Sequence, residues 1–303
     1  PGDGAGANVL ALAFDRETIA VTKFGDNYKL LVELSFSALI FNYSSKSIVA
    51  NYPMVAQYID VLSDQPSTED ISNALDRVVF GEQATGVQAT FWEALYEVRL
   101  PEAAVRTLRV TDVGVMDSAS AYLAGIGAPK DEVLKSDIGQ SFSKYLVANN
   151  GLSVLPTGSN TALGNKMAAK MSNGDVYDLN IPEADYQISI TLNGVKKVET
   201  ARTAAGASWV YGAFVTISVV EPLSGKSYFN DQMKLGASRT VPASVQSDED
   251  WPSYSEVIQQ LFFEFTRAIA QSDAAWAKRH IISVSANTTS PLQPLRELLD
   301  KCR

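Results

Sequence analysis

Trp209-Val-Tyr-Gly-Ala-Phe-Val-Thr-Ile-Ser-Val-Val220, then Glu221-Pro-Leu-Ser-Gly-Lys226, then Ser227-Tyr-Phe-Asn-Asp-Gln-Met-Lys-Leu-Gly-Ala237, is the stretch on which the fold turns. Apolar and small polar residues alternate as far as Val220, and β-branched and aromatic residues dominate. That is the period-two pattern of a strand. Ser224-Gly225-Lys226 supplies a turn, with Gly225 free to take positive φ. A second strand runs from Ser227. The stretch reads as a long β-hairpin, and its Ser-Gly-Lys-Ser tip is turn chemistry, because no helix follows it as a phosphate loop requires.

The chain holds a second hairpin of the same kind at Tyr28 to Leu62. Ser44-Ser45-Lys46-Ser47 lies on Ser224-Gly225-Lys226-Ser227, and Ile40 lies on Val220. Each hairpin leads to Pro-Ser-x-x-acid-aliphatic-x-x-x-Leu. In the first copy this is Pro66, Ser67, Asp70, Ile71 and Leu75; in the second it is Pro252, Ser253, Glu256, Val257 and Leu261. Each unit is therefore a hairpin whose apolar face a following helix covers. The expected fold class is mixed α/β (α+β): two related units, each a β-hairpin-based mixed sheet backed by amphipathic helices.

Around the hairpins, Val9 to Phe14 reads as a buried strand and Thr18 to Thr22 as another. Ser47 to Leu62 returns from the first hairpin, and Pro53 marks an edge or a bulge. Ser67 or Thr68 caps a helix whose first turn holds Glu69 and Asp70. Thr90 to Leu100 is a helix and Val105 to Met116 a strand. Gly125 to Pro129 is a break, which sets the units at 1–128 and 129–290, with a tail at 291–303. The second half reads as a helix at Leu134 to Asn149, a short strand at Leu152 to Leu155 and a helix at Thr161 to Met171. A strand at Asp185 to Thr200, bent at Asn193-Gly194, precedes a loop at Arg202 to Ala207. Trp251 to Gln271, with Val257, Leu261, Phe265 and Ile269 in line, is the strongest helix. Ile281 to Ser285 is a last strand, and Leu295 to Lys301 a short helix.

At 303 residues, two domains or one large one are expected. The net charge of -9 lacks the basic footprint that nucleic acid demands. It also lacks a polybasic membrane contact. With one cysteine, Cys302, and one histidine, His280, two-histidine metal sites and nucleophile-histidine sites are largely excluded. The longest apolar stretch, Leu30 to Tyr43, is broken by Glu33, Ser35, Ser37 and Asn42 and is too short to span a bilayer as a helix. Pro1-Gly-Asp-Gly-Ala-Gly-Ala-Asn8 is expected to be a processed end. Low Lys with many Ser, Thr and Asn residues points to an envelope protein.

No catalytic, cofactor-binding or metal-binding residue is assigned, and no cofactor is expected. Gly158-Ser-Asn-Thr-Ala-Leu-Gly-Asn-Lys166 departs from a Walker loop, since Asn165 separates Gly164 from Lys166 and Met167 replaces the hydroxyl. Gly2, Gly4 and Gly6 precede a strand and so are not a dinucleotide fingerprint. His280, after Lys278-Arg279, suits a helix C-terminus. Asp248-Glu-Asp250 reads as the acidic flank of the long helix, with cation binding as the rival. Glu183 and Asp185 are the nearest approach to a carboxylate pair. Trp92, Trp209, Trp251 and Trp276 could line a sugar site, although Trp92 and Trp209 read as core or sheet-edge residues. Asn42-Tyr-Ser44 and Asn287-Thr-Thr289 match the glycosylation acceptor pattern.

Ser141-Phe-Ser-Lys-Tyr-Leu-Val, Leu152-Ser-Val-Leu-Pro156, Leu163 to Met171, Ala184-Asp-Tyr-Gln-Ile-Ser-Ile190 and Phe214-Val-Thr-Ile-Ser-Val-Val220 follow one another in an order that resembles the periplasmic α/β domains of the TolB amino-terminal and CsgG type. The resemblance covers roughly residues 138 to 271. No lipobox cysteine and no CsgG-like pore-forming hairpin accompany it. It implies a non-enzymatic, periplasmic or outer-membrane-associated binding or assembly module serving secretion, pilus, curli or flagellar machines, and it transfers no functional residue. Protein partners are expected, including self-association through sheet edges or apolar surface, with no nucleic acid and with peripheral outer-membrane association. A carboxylate-based hydrolase and a small-ligand or glycan-binding protein are the alternatives.

Overall fold

A computed structural model describes residues 6–81, 86–97, 105–157, 166–170, 174, 176–243, 250–284 and 291–303. The chain is mixed α/β and forms two compact units. One comprises residues 1–100, 166–181 and 244–247, and the other residues 101–165, 182–243 and 248–303. The expected boundary at 128/129 differs from this division. The strand at Leu108–Val115 belongs with the second unit, where it pairs in parallel with Tyr186–Thr203.

The first unit is a five-stranded sheet in the order β1-β2-β3-β6-β5. Its strands are β1 (Asn8–Phe24), β2 (Asn27–Asn42), β3 (Ser47–Leu62), β5 (Lys166–Lys170) and β6 (Val176–Asn180). The two strands expected before Phe24 are one. A bulge at Asp15 absorbs the polar Asp-Arg-Glu run, so pairing with β2 continues from Phe14↔Phe36 to Arg16↔Ser35. Among the described residues, β3 meets β6 at Ser47↔Asn180 alone, which leaves Pro53 without a partner strand on that side. Residues 166–170, expected as helix, form a strand against β6. Lys-Met-Ala-Ala-Lys has high helix propensity, and pairing overrides it. The rest of that expected helix and of the Gly158–Lys166 loop lies outside the described residues.

Helices α1 (Thr68–Phe80) and α2 (Val87–Glu97) cover one face of this sheet. Ser67 caps α1 in a reciprocal capping box with Asp70, Ser67 Oγ accepting from Asp70 N–H and the Asp70 carboxylate accepting from Ser67 N–H at 2.8 Å. Ala74 and Val78 pack on Leu30, Val32, Leu34 and Phe36, with Ala56 of β3 and Val87 of α2.

The second unit is a four-stranded sheet in the order β4-β7-β8-β9, namely Leu108–Val115, Tyr186–Thr203, Gly206–Glu221 and Lys226–Pro242. The bend expected at Asn193-Gly194 is a bulge in β7. The expected loop at 202–207 shrinks to Ala204-Ala205, because both flanking strands keep pairing as far as Thr203↔Gly206. Helices α3 (Asp117–Ala124), α4 (Asp131–Asn150), α5 (Trp251–Gln271), α6 (Ala274–His280) and α7 (Gln293–Leu299) complete the unit. Gly151, at φ 61°, closes α4. Ile188, Ile190 and Leu192 of β7 and Ala213, Val215 and Ile217 of β8 bury one sheet face against Phe142, Leu261, Phe262 and Phe265.

Two expected strands, as far as they are described, contract to isolated bridges, among them Arg109↔Leu155 and Met233↔Ile281. Ahead of the second, Asp273 caps α6, accepting from Ala275 and Trp276 N–H. Residues 291–303 are no loose tail. Leu292, Leu295, Leu298, Leu299 and Cys302 are buried in the core of the second unit, as one apolar stripe on α7 and the 3-10 turn that follows it.

The two hairpins share more than their outline. Asn42↔Ser47 and Glu221↔Lys226 each close a four-residue turn. The fourth turn residue takes the left-handed conformation in both, Lys46 at φ 52° and Gly225 at φ 70°. Asn42 Oδ1 accepts from Ser45 Oγ, and Glu221 Oε2 accepts from Ser224 Oγ. A bulge follows at Val49 and at Tyr228. The structural equivalence is thus one residue out of step with the Ser-x-Lys-Ser match. Lys46 corresponds to Gly225, the residue that must bear positive φ. Likewise Pro66 precedes its helix cap, whereas Pro252 lies inside the first turn of α5, whose N-cap is Asp250.

Candidate functional site

Strand β1 is the outermost strand of the first sheet. Among the described residues, nothing pairs with its outer side. Before the bulge, one face carries Leu10, Leu12 and Phe14; after it, the same face carries Glu17, Ile19 and Val21. Their β2 partners Ile40, Ala38, Phe36, Leu34, Val32 and Leu30 are all buried. The apolar face of the sheet therefore runs on past its covered part. Leu10, Leu12, Phe14, Ile19 and Val21 stay between 38 and 57% exposed. The expectation of a buried strand at Val9 to Phe14 fails here, because α1 and α2 pack against β2 and β3.

The bulge sits at the centre of this pattern. Ser37 Oγ donates to Asp15 Oδ2 at 2.7 Å, fixing the extra residue. Burial raises the Asp15 carboxyl above the usual carboxylate range, against the opposing effect of that hydrogen bond. Arg16, next to it, approaches Glu33 at 3.9 Å. The opposite face of β1 bears the small side chains Ala11, Ala13, Thr18 and Ala20, together with Arg16. Long apolar edges template pairing with another chain unless something blunts them.

The residues singled out from sequence do not converge on one site. Asp185 joins the starts of the parallel strands β4 and β7. Its carboxylate accepts from Thr107 N–H at 2.8 Å, Thr107 Oγ1 at 3.0 Å and Arg106 at 2.6 Å. Thr107 Oγ1 in turn accepts from Asp185 N–H. Against a contrary effect of burial, these bonds hold the Asp185 carboxyl below the usual carboxylate range. It is a staple, and Glu183 beside it is exposed.

Asp250 is likewise engaged, and the rest of the acidic Asp248–Asp250 run lies outside the described residues. Lys197 Nζ donates to both its oxygens at 2.7 and 2.8 Å, and Tyr211 Oη donates at 2.7 Å. The Lys197 ammonium also lies over the Trp209 ring, 4.6 Å from its centroid. Burial would lower the Lys197 pKa, but the bonds to Asp250 and Tyr211 outweigh it and the net shift is upward.

His280 ends α6, where its Nδ1–H donates to the Lys234 carbonyl at 3.1 Å and its ring stacks on Trp276. Trp276 is buried, Trp209 and Trp251 pack partly against the second core, and Trp92 of the first unit is 62% exposed. The expectation of Trp92 in a core fails because Val87 and Phe91 form the packed side of α2. Cys302 is buried, which pushes its thiol up to about 12. Among the described residues, no group of three or more His, Cys, Asp or Glu side chains could hold a metal. Asn287-Thr-Thr289 lies outside them, as do Gly2 and Gly4. Among them, too, no helix is long and apolar enough to cross a membrane.

No family model matches the chain, and no curated protein matches it. Part of the chain is similar to several solved structures. A minor lipoprotein from Acinetobacter baumannii is 14% identical, over 55% of this chain and 94% of its own, with a TM-score of 0.29. A DUF330-family protein from Xanthomonas campestris is 8% identical, over 59% and 91%, with a TM-score of 0.29. A protein from Helicobacter pylori assigned as a neuraminyllactose-binding hemagglutinin homolog is 10% identical, over 58% and 91%, with a TM-score of 0.31.

Proposed function

We propose that the chain is a non-catalytic assembly module of the bacterial envelope that associates with a second copy of itself through β1. The uncovered apolar edge carries this reading. Laid antiparallel on its own copy, about a two-fold axis between Asp15 and Arg16, the strand keeps matching faces together. Leu10 then meets the second copy's Val21, Leu12 meets its Ile19, Phe14 meets its Glu17, and Asp15 meets its Arg16. The central bulge makes this symmetry possible, because it shifts the alternation by one residue midway. Two of the three pairs on the exposed face are apolar, and opposite charges meet at the axis of an isologous interface. The six strands β3-β2-β1 of the two copies would form one continuous sheet. The envelope and periplasmic setting rests on the sequence resemblance across residues 138 to 271.

The test is the oligomeric state with a register-specific cross-link. Leu12→Cys with Ile19→Cys is expected to give a disulfide-linked dimer on oxidation, whereas either single variant gives none. Leu12→Lys with Ile19→Lys is expected to yield a folded monomer by light scattering. A wild-type chain that stays monomeric at its highest soluble concentration sinks the proposal. So does cross-linking through the single variants.

A further inference from the structure

We propose that the second sheet bears a notch that captures the carboxyl-terminal residue of a partner polypeptide through a large apolar side chain and its terminal carboxylate. The notch lies on the face of β7, β8 and β9 opposite α4 and α5, beside the end of α6, and has a volume of about 340 Å3. That is at the low end of the ~300–1,000 Å3 usual for ligand pockets and suits one large side chain.

Its floor comes from a missing row of side chains. Lys196, Gly212 and Gly236 stand in register across the three strands. The row on one side holds Val198, Val210 and Ser238, and the row on the other holds Gly194, Phe214 and Lys234. Gly212 and Gly236 thus open a gap between the apolar side chains of Val210 and Phe214.

Neither glycine is there for its backbone, since both hold ordinary extended conformations inside β8 and β9. A Cβ on Gly212 would meet only the backbone oxygens of Leu235 and Lys196, at 3.6 and 3.7 Å, which is ordinary contact. A Cβ on Gly236 would come within 3.2 Å of Val210 Cγ1, so packing accounts for that glycine in part. Glycine inside a strand weakens it, and it recurs where a ligand or another backbone approaches closely. Gly212, which no packing requirement explains, is such a position.

The rim supplies the charge. Lys196, Lys234 and Arg279 surround the notch, and among the described residues no acidic one lines it. This concentration of positive charge stands out in a chain of net charge -9. His280 completes the rim as a fixed wall, held by the Lys234 carbonyl and by Trp276. A carboxylate matches the planar donor fork of Arg279, and the lysine ammonium groups reinforce it. Apolar walls beside a cationic rim require an occupant with both characters at one end. A polypeptide's last residue has them.

The probe is the peptide Gly-Ser-Gly-Ser-Phe with a free carboxylate, titrated into the full chain and followed by NMR at the Gly212 and Gly236 amides. Its carboxyl-terminal amide and a version ending in Ala are the comparisons. The free acid is expected to bind at least tenfold more tightly than the amide and several-fold more tightly than the Ala version. Lys234→Glu with Arg279→Glu should erase the acid-amide difference. Gly212→Leu, which fills the notch, should erase the Phe-Ala difference while the thermal transition stays in place. Equal binding of acid and amide overturns the inference, as does a Gly212→Leu chain that still prefers Phe. Perturbation of the two glycines by anionic phospholipid vesicles but not by the peptide would also overturn it.

Discussion

Replacing Asp250 by Ala is expected to destabilise the second unit by about 3 kcal/mol. Three hydrogen bonds end on this carboxylate, two from Lys197 and one from Tyr211. Bonds to a charged group contribute roughly 1.5–3 kcal/mol, and a buried hydroxyl left without its partner costs about 1–3 kcal/mol. Losing an anion at the start of α5 adds about 0.3–1 kcal/mol through the helix dipole. The Lys197 side chain is 24% exposed and keeps its place over Trp209, so water and the ring recover part of the loss. At roughly 2–4 °C per kcal/mol for a unit of this size, the melting temperature should fall by about 6–12 °C. Three of the four tryptophans, Trp209, Trp251 and Trp276, lie in the second unit, so fluorescence follows its transition. A double-mutant cycle with Lys197→Met should show coupling of at least about 1 kcal/mol. The upward shift of Lys197 fixes the pH behaviour. Its contribution is complete below the unfolded lysine value of about 10.4 and disappears as pH rises through the higher folded value. The gap between wild type and variant should therefore narrow in alkali. A loss under about 1 kcal/mol, or additive single effects, would refute the reasoning.

The two hairpin turns offer an exchange. Lys46→Gly should stabilise the first unit by about 1 kcal/mol and Gly225→Lys should destabilise the second by a similar amount, since a left-handed non-glycine residue costs roughly 1–2 kcal/mol; thermal denaturation with the opposite signs would break the proposed equivalence. Asp185→Asn should lower the melting temperature at neutral pH. Because the folded Asp185 pKa is depressed, the stability it contributes is present above the unfolded value of about 3.9 and lost as pH falls through the folded one, so melting curves of the two proteins should converge in acid. Gly206→Ala should cost more than about 1 kcal/mol, because Gly206 holds positive φ and its Cβ would strike the Val241 carbonyl of the neighbouring strand β9; an unchanged urea midpoint would show that β9 gives way freely.

What the sequence disclosed was local. Period-two alternation returned β2, β3 and β8 almost residue for residue. Helix α5 followed from Val257, Leu261, Phe265 and Ile269, and the start of α1 followed from Ser67 or Thr68 as the cap, which the structure resolves to Ser67. What it withheld depended on distant partners. Lys166 to Lys170 is a strand only because β6 lies beside it. β4 belongs to the second unit because it pairs with β7 far along the chain, and parallel pairing leaves no local mark. The duplication was visible, but its register was not. Matching letters aligned Lys46 with Lys226, whereas backbone conformation aligns Lys46 with Gly225.

The site was harder to see for a related reason. Asp15-Arg16-Glu17 looked like a break between two short strands, and each half alone resembled buried core. Only continuous pairing with β2 shows one strand with a bulge at its middle. The near-symmetry of Leu10, Leu12 and Phe14 about Asp15-Arg16 with Glu17, Ile19 and Val21 was the signal available. The hairpin edge that first suggested a partner is in fact partly closed. Ile282 N–H donates to the Gln232 carbonyl of β9, and His280 donates to that of Lys234. At the other side of that sheet, Leu155 N–H donates to the Leu108 carbonyl of β4. The second sheet thus caps its edges with its own chain. β1 receives no such cap among the described residues, and its exposed apolar face carries one charge near the middle, Glu17, and one near the end, Lys23. A strand selected to stay single would interrupt that face with lysine or proline. The contrast between capped edges and an uncapped one within the same chain is why β1 is assigned to a partner.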